Sequence, residues 1–298
     1  MRTDIEFDAR GTTLRGWLYT PDTGAGPFPT VVMAHGFSAL KEMDLDRYGE
    51  VFAGAGLAAL VYDNRNLGAS DGQPRFEIDP VAQRRDYQDA VTYAGSRPEV
   101  DADRIGLWGT SYTGGLVLIT AALDRRVKCV VSQVPYISGH ENVLQTMPLE
   151  NRDEYYRMVY EERRSLAAGN PPSTVTICTD DAAKPIDAPG RRTYRYFTTH
   201  AREKGLNWEN QVTIRSLELR LEYEAMPYME RISPTPLLMI VADRDVITPT
   251  DIALRAFERA LEPKKLVLLR GEHYHAYLEG FDETATAARD WFVQHLCK

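Results

Sequence analysis

The stretch LWGTSYTGG, Leu107 to Gly115, joins an apolar run to a helical one through a turn of small residues. Its central serine, Ser111, follows the apolar run directly and opens YTGGLVLITAAL. A side chain on such a strand-to-helix turn is pushed up over the C-terminal edge of a sheet, and the tight turn requires a small neighbour, which Gly109 supplies. Thr113 stands where a second glycine is expected, so the stretch by itself reads equally as a helix-opening turn.

The surroundings decide between the two. Short apolar runs recur at Thr30 to His35, Leu57 to Asp63, Arg104 to Gly109, Val127 to Gln133, Pro236 to Ala242 and Lys265 to Gly271, and the alternating run Thr13 to Pro21 precedes them. Runs of this length, apolar throughout, are what strands buried on both faces look like. Helical patterns lie between most of them, as in PVAQRRDYQDAVTYAGS, where Val81, Tyr87, Ala90, Val91 and Ala94 fall near helical spacing. Strands alternating with helices predict an α/β fold with a mostly parallel central sheet and helices on both faces.

The alternation breaks once. Residues 136–230 hold helical runs, NRDEYYRMVYEERRSLAA and NQVTIRSLELRLEYEA, around the Pro-rich GNPPSTVTICTDDAAKPIDAPG. A structureless connection of that length is implausible, so the division expected is a core of residues 1–135 and 231–298 with a helical cap, or lid, at 136–230.

Three further segments, in chain order, bear on Ser111. MAHGFS ends the first buried strand and offers the backbone N–H of Phe37 as an oxyanion donor, with Tyr112 N–H as the second; the His35 ring is read as structural. VADRDVITP offers Asp243 or Asp245 as the carboxylate that orients a histidine. Asp245 is preferred because it sits just ahead of Pro249 and the next helix. RGEHYHAYLEG offers His273 or His275, and His273 is preferred because it follows the strand end immediately. A serine is a weak nucleophile without an adjacent base, so the order Ser111, Asp245, His273 is the conjunction that acyl chemistry needs.

With those segments in view, the chain resembles the α/β-hydrolase superfamily over nearly its whole length. Ser-Tyr-Thr-Gly at 111–114 is similar to the X-prolyl dipeptidyl peptidase and cocaine esterase group, in which the glycine shifts by one place; dienelactone-hydrolase-like enzymes are similar too. The resemblance implies an α/β-hydrolase fold with the inserted cap, Ser111 as nucleophile, Asp245 as acid, His273 as base and backbone donors at Phe37 and Tyr112. It also covers DNRNLGASDG, where Asp63, Arg65, Gly68 and Gly72 are read as structural. The chain is much shorter than the peptidases of that group and shows no Glu pair for a substrate N-terminus, which counts against proline-specific cleavage.

The expected activity is cleavage of a carboxylic ester, lactone or thioester through an acyl-enzyme. Acyl transfer with the same residues is the alternative, ahead of a proline-specific peptidase or amidase and of a non-catalytic binder on the same fold. Aspartate-nucleophile enzymes such as dehalogenases are excluded by Ser111. Tyr136, Tyr155, Tyr156 and Tyr160 are the expected substrate-pocket residues. No metal or organic cofactor is expected, since neither metal-ligand spacing nor a Gly-rich dinucleotide loop occurs. The partner expected is a small-molecule acyl substrate, with a homodimer left open. The net charge of −8 argues against nucleic acid. No apolar run is long enough to predict a membrane span. The charged N-terminus carries no visible secretory signal, and Cys129, Cys178 and Cys297 fit reduced thiols in a cytoplasm.

Overall fold

The computed structural model describes residues 1–180 and 189–297. Residues 181–188, in the second half of the Pro-rich segment, therefore lie outside the described residues. In chain order the elements run β1 (Arg2–Ala9), β2 (Thr12–Tyr19), β3 (Phe28–Ala34), α1 (Leu45–Gly54), β4 (Ala58–Tyr62), α2 (Pro80–Gly95), β5 (Val100–Thr110), α3 (Tyr112–Leu123) and β6 (Val127–Gln133). Then follow α4 (Gly139–Thr146), α5 (Leu149–Ala167), β7 (Thr174–Val175), α6 (Pro189–Glu203), β8 (Val212–Thr213) and α7 (Ile214–Leu219). The chain closes with β9 (Leu237–Ala242), α8 (Thr250–Arg259), β10 (Lys264–Leu269) and α9 (Phe281–Leu296).

Eight strands form one sheet in the order β1-β2-β4-β3-β5-β6-β9-β10. From β4 to β10 every neighbouring pair is parallel, and β1 and β2 add an antiparallel edge. The expected α/β-hydrolase architecture, a mostly parallel sheet with helices on both faces, is the one observed. Successive side chains of a strand point to opposite faces. Val32 and Ala34 of β3 thus join a core with α2, α3 and α8, while Val31 and Met33 join one with α1 and α9. The helix α2 starts cleanly: Pro80 occupies its first turn and the Asp79 carboxylate accepts from the N–H groups of Val81 and Ala82.

Three local expectations change. The N-terminal MRTDIEFDAR supplies a strand, β1; only its last side chains are buried, so its polar composition hid it. Val81 is exposed, whereas Tyr87, Ala90, Val91 and Ala94 are buried. Of the run NQVTIRSLELRLEYEA only Ile214–Leu219 is α-helical; Val212–Thr213 pairs with Thr174–Val175 in a two-stranded ribbon. The Thr213 hydroxyl, accepting from Ser216 N–H, caps the short helix and ends the strand there.

From β3 the chain adds β4 on one side and then β5 on the other. Such a reversal leaves a crevice outside the carboxyl ends of the strands, where open α/β sheets place their ligands. The insertion between β6 and β9 carries α4 to α7 and supplies walls above that crevice.

Candidate active site

Ser111 sits between β5 and α3 with φ 54° and ψ −120°. An L-residue at positive φ is strained, and the surroundings hold it there. Its N–H donates to Gln133 O (2.9 Å) and its carbonyl accepts from Tyr136 N–H (2.8 Å). The turn leaves no room for larger neighbours: a Cβ on Gly109 would lie 2.3 Å from Thr113 O, and one on Gly36 would lie 2.9 Å from Ser111 Cβ. Thr113 is at home in place of glycine because its hydroxyl is used. Thr110 N–H donates to Thr113 Oγ1 (3.0 Å), which donates on to Ala34 O (2.8 Å). The displaced need for glycine appears at Gly114, whose Cβ would lie 3.0 Å from Gln133 O, and more sharply at Gly115, whose Cβ would meet Tyr136 O at 2.1 Å.

His273 lies in the turn after β10, with Nε2 3.1 Å from Ser111 Oγ and Nδ1 2.7 Å from Asp245 Oδ2. An ionised carboxylate only accepts, so Nδ1 carries the proton and Nε2 is left as the acceptor facing the serine. Asp245, in the turn after β9, also accepts from Ile247 N–H (2.9 Å), Thr248 N–H (2.8 Å) and Thr248 Oγ1 (2.8 Å). Four donors on one buried carboxylate keep it in place. The competing candidates are elsewhere: Asp243 accepts from Gly271 N–H, and His275 faces Glu279 at 3.3 Å.

Phe37 N–H follows β3 and Tyr112 N–H opens α3; among the described residues neither meets an acceptor. Helix-opening N–H groups are free in this way and favour negative charge. The neighbouring Gly36 N–H is taken by His35 Nδ1 (2.7 Å), so the His35 proton sits on Nε2, which donates to Met43 O (2.7 Å). Burial pushes the His35 pKa down to about 4, so the ring is neutral and holds the loop. Below the site Asp63 accepts from Lys41 Nζ (2.7 Å) and Arg65 Nε donates to Asp86 (2.7 Å), both structural contacts.

A cavity of about 950 Å³ opens above Ser111. Tyr136 lines it. Tyr155, Tyr156 and Tyr160 do not. Tyr155 is buried against α7, its hydroxyl donating to Leu217 O (2.5 Å), and Tyr160 is 56% exposed and stacked on Tyr156. The reason is the facing of α5, which turns one tyrosine into the insertion and the other two outward. The wall comes instead from Tyr196, Phe197, Leu217, Ile247, Tyr274 and Tyr277. Tyr274 and Tyr277 follow His273 so closely that the turn holding the histidine must bring them along. Nothing in the sequence marks Leu217. The described residues contain no helix long and apolar enough to cross a membrane and no cluster fit to hold a metal ion.

The profile of the X-Pro dipeptidyl-peptidase (S15) family matches residues 10–275. A thiohydrolase of Eupenicillium brefeldianum is 33% identical over 298 residues, covering 98% of this chain and 94% of its own. A polyketide transferase of a Penicillium species, grgF, is 31% identical, covering 99% and 97%. The crystal structure of the α/β hydrolase GrgF from Penicillium sp. sh18 superposes with a TM-score of 0.85 at 29% identity, covering 100% of both chains.

Proposed function

The chain belongs to the X-Pro dipeptidyl-peptidase (S15) family, and from that premise we propose that it is a serine hydrolase that cleaves an ester or thioester of a medium-sized organic acid. The observation that carries this reading is the single line of contacts from Asp245 through His273 to Ser111 Oγ at the floor of a deep cavity. His273 Nε2 takes the Ser111 proton as Oγ attacks the acyl carbon. The negative oxygen so formed is held by the N–H groups of Phe37 and Tyr112, and Asp245 stabilises the imidazolium. The imidazolium then protonates the leaving alcohol or thiol as its bond to the acyl carbon breaks. Water, deprotonated by the same ring, attacks the acyl-Ser111 ester and frees the acid.

Thioesters head the substrate list because a similar protein is named a thiohydrolase. Acyl transfer to an alcohol or amine is the second reading, favoured by the relative named a polyketide transferase and by a cavity large enough for acyl group and acceptor together. Proline-specific peptidase activity is not proposed. A substrate ammonium needs a carboxylate, and among the described residues the cavity wall offers none. In this reading residues 136–230 act as the cap that shapes the acyl pocket, and the three free cysteines suit a cytoplasmic setting.

The test is a panel of N-acetylcysteamine thioesters, p-nitrophenyl esters and prolyl amides, with Ser111→Ala as control. Turnover of thioesters and esters that vanishes in the variant is expected. Preference for prolyl amides, or turnover that survives the substitution, would overturn the reading.

A further inference from the structure

The cavity above Ser111 is walled by aromatic and aliphatic side chains, and among the described residues its wall carries no carboxylate and no lysine. Arg220, in the helical turn that follows α7, is the permanent charge among the described residues of the wall. A cation in such a place is normally paired, because removal from water is costly. Here no carboxylate among the described residues lies within ion-pair distance of it; the arginines at 163, 255 and 259 each have one. Its Nε is buried without a hydrogen-bond partner. Its guanidinium carbon lies 5.8 Å from the Tyr155 ring, and the Tyr155 hydroxyl, which donates to Leu217 O, accepts from Arg220, so Nε is the atom left unmatched.

Two more polar atoms in the same part of the cavity lack partners: the hydroxyls of Tyr112 and Tyr136. Both residues line the cavity and are more than nine-tenths buried, and their rings lie 5.8 Å apart. Burial pushes the Tyr136 phenol up to about 12 and raises that of Tyr112 as well, so both are protonated donors; the nearby Arg220 charge opposes the rise in each. Donors that are buried and unmatched destabilise the empty protein, and a negatively charged ligand group beside Arg220 would offset that cost as these side chains turn to it.

We propose that Arg220, with the hydroxyls of Tyr136 and Tyr112, is a specificity-determining receptor for a carboxylate borne by the acyl part of the substrate. The inference rests on the serine-hydrolase reading and narrows it to esters or thioesters of acids that carry a second acidic group away from the scissile bond. The same arrangement works against acyl chains ending in a cation.

The test compares the p-nitrophenyl half-ester of suberic acid, whose far carboxylate is free, with the same compound capped as its methyl ester. The unaltered protein is expected to favour the free carboxylate in kcat/KM, chiefly through KM, and Arg220→Gln to lower that preference about 10- to 100-fold. Arg220→Lys is expected to restore part of it, a rescue that a merely structural arginine would not show. Equal kcat/KM for the two substrates with the unaltered protein would overturn the proposal, and so would a preference that survives Arg220→Gln. The first of these readouts needs no variant to fold. The hydrolase reading is followed separately through the capped ester: turnover of it that is lost in Ser111→Ala supports that reading even where Arg220 proves indifferent.

Discussion

The carboxyl edge of the sheet and the insertion between β6 and β9 face each other across one cavity and are built on different terms. At the edge, Ser111, Asp245, His273 and the N–H of Phe37 each come within a few residues of a strand end. Every strand there is pinned by parallel ladders on both sides, or on one side at β10. The insertion has a two-residue ribbon, one isolated bridge and helices tied in by scattered single hydrogen bonds. Catalytic geometry tolerates little displacement, so it is placed on the rigid side, and pocket shape is left to the side that can vary.

The sharpest way to break that contrast is at the edge. Ser111→Ala and His273→Ala are each expected to lower kcat about 10⁴- to 10⁶-fold, because members of a triad act as one unit. Both should leave the melting temperature nearly unchanged. His275→Ala serves as the neighbour control, since its ring faces Glu279 and not the serine. Reaction of Ser111 with a fluorophosphonate, followed by mass spectrometry, reads both histidines at once. Equal loss in the two variants would remove His273 from its assigned place.

Asp245→Asn follows in size. The amide would present a donor where His273 Nδ1–H now finds an acceptor, favouring the other tautomer with Nε2 protonated toward Ser111. A fall in kcat of about 10²- to 10⁴-fold is expected, with KM little changed. A variant that keeps most of its activity would make Asp245 a loop-fixing residue, held for its bonds to Ile247 and Thr248.

The unequal legibility of the two regions has the same cause. Ser111 and its glycines were readable because the turn admits few residue types: positive φ at 111 and contacts under 3 Å at Gly36 and Gly109 leave chain geometry no alternative. Asp245 and His273 could be chosen over Asp243 and His275 from their places in the loops, Asp245 just ahead of Pro249 and its helix and His273 directly after the strand-ending Gly271-Glu272. The insertion offers no such rule. A tyrosine on α5 is compatible with cavity, interior or solvent, and Tyr155, Tyr156 and Tyr160 took the last two. Tyr136, bound to the edge through Ser111 O, lies on the cavity wall where the sequence put it. The missed strand β1 makes the same point, since a solvated edge strand leaves no run of apolar residues.

That difference is measurable on the insertion itself. Tyr160→Ala should leave kcat/KM within about twofold, as an exposed residue away from the cavity. Phe197→Ala should lower it about 10-fold by removing an aromatic wall. Equal effects would mean that α5 moves over the cavity in the working enzyme.

The smallest expected effect concerns the seam between the two regions. His200 of α6 reaches Asp44, just ahead of α1, at 3.0 Å, and Tyr196 donates to the same carboxylate at 3.1 Å. Burial alone would lower the His200 pKa, but the hydrogen bond and charge of Asp44 outweigh it and raise it above the ordinary value. Burial would likewise raise Asp44, and His200 outweighs it, leaving that pKa lowered. A raised histidine stabilises fully below its unfolded pKa of about 6.5 and loses that contribution as pH rises through the folded value. A lowered carboxylate contributes above about pH 4 and fails as pH falls through its folded value. The pair therefore ties insertion to core best between about pH 4 and 6.5. His200→Gln keeps a neutral donor and removes the charge. It is expected to lower the melting temperature by a few degrees at pH 6, for a loss of about 1 kcal/mol, and by less at pH 9, where the native ring is neutral too. A deficit that stays constant across that range would assign the contact to packing alone, and the seam would then be as indifferent to pH as the ladders of the sheet.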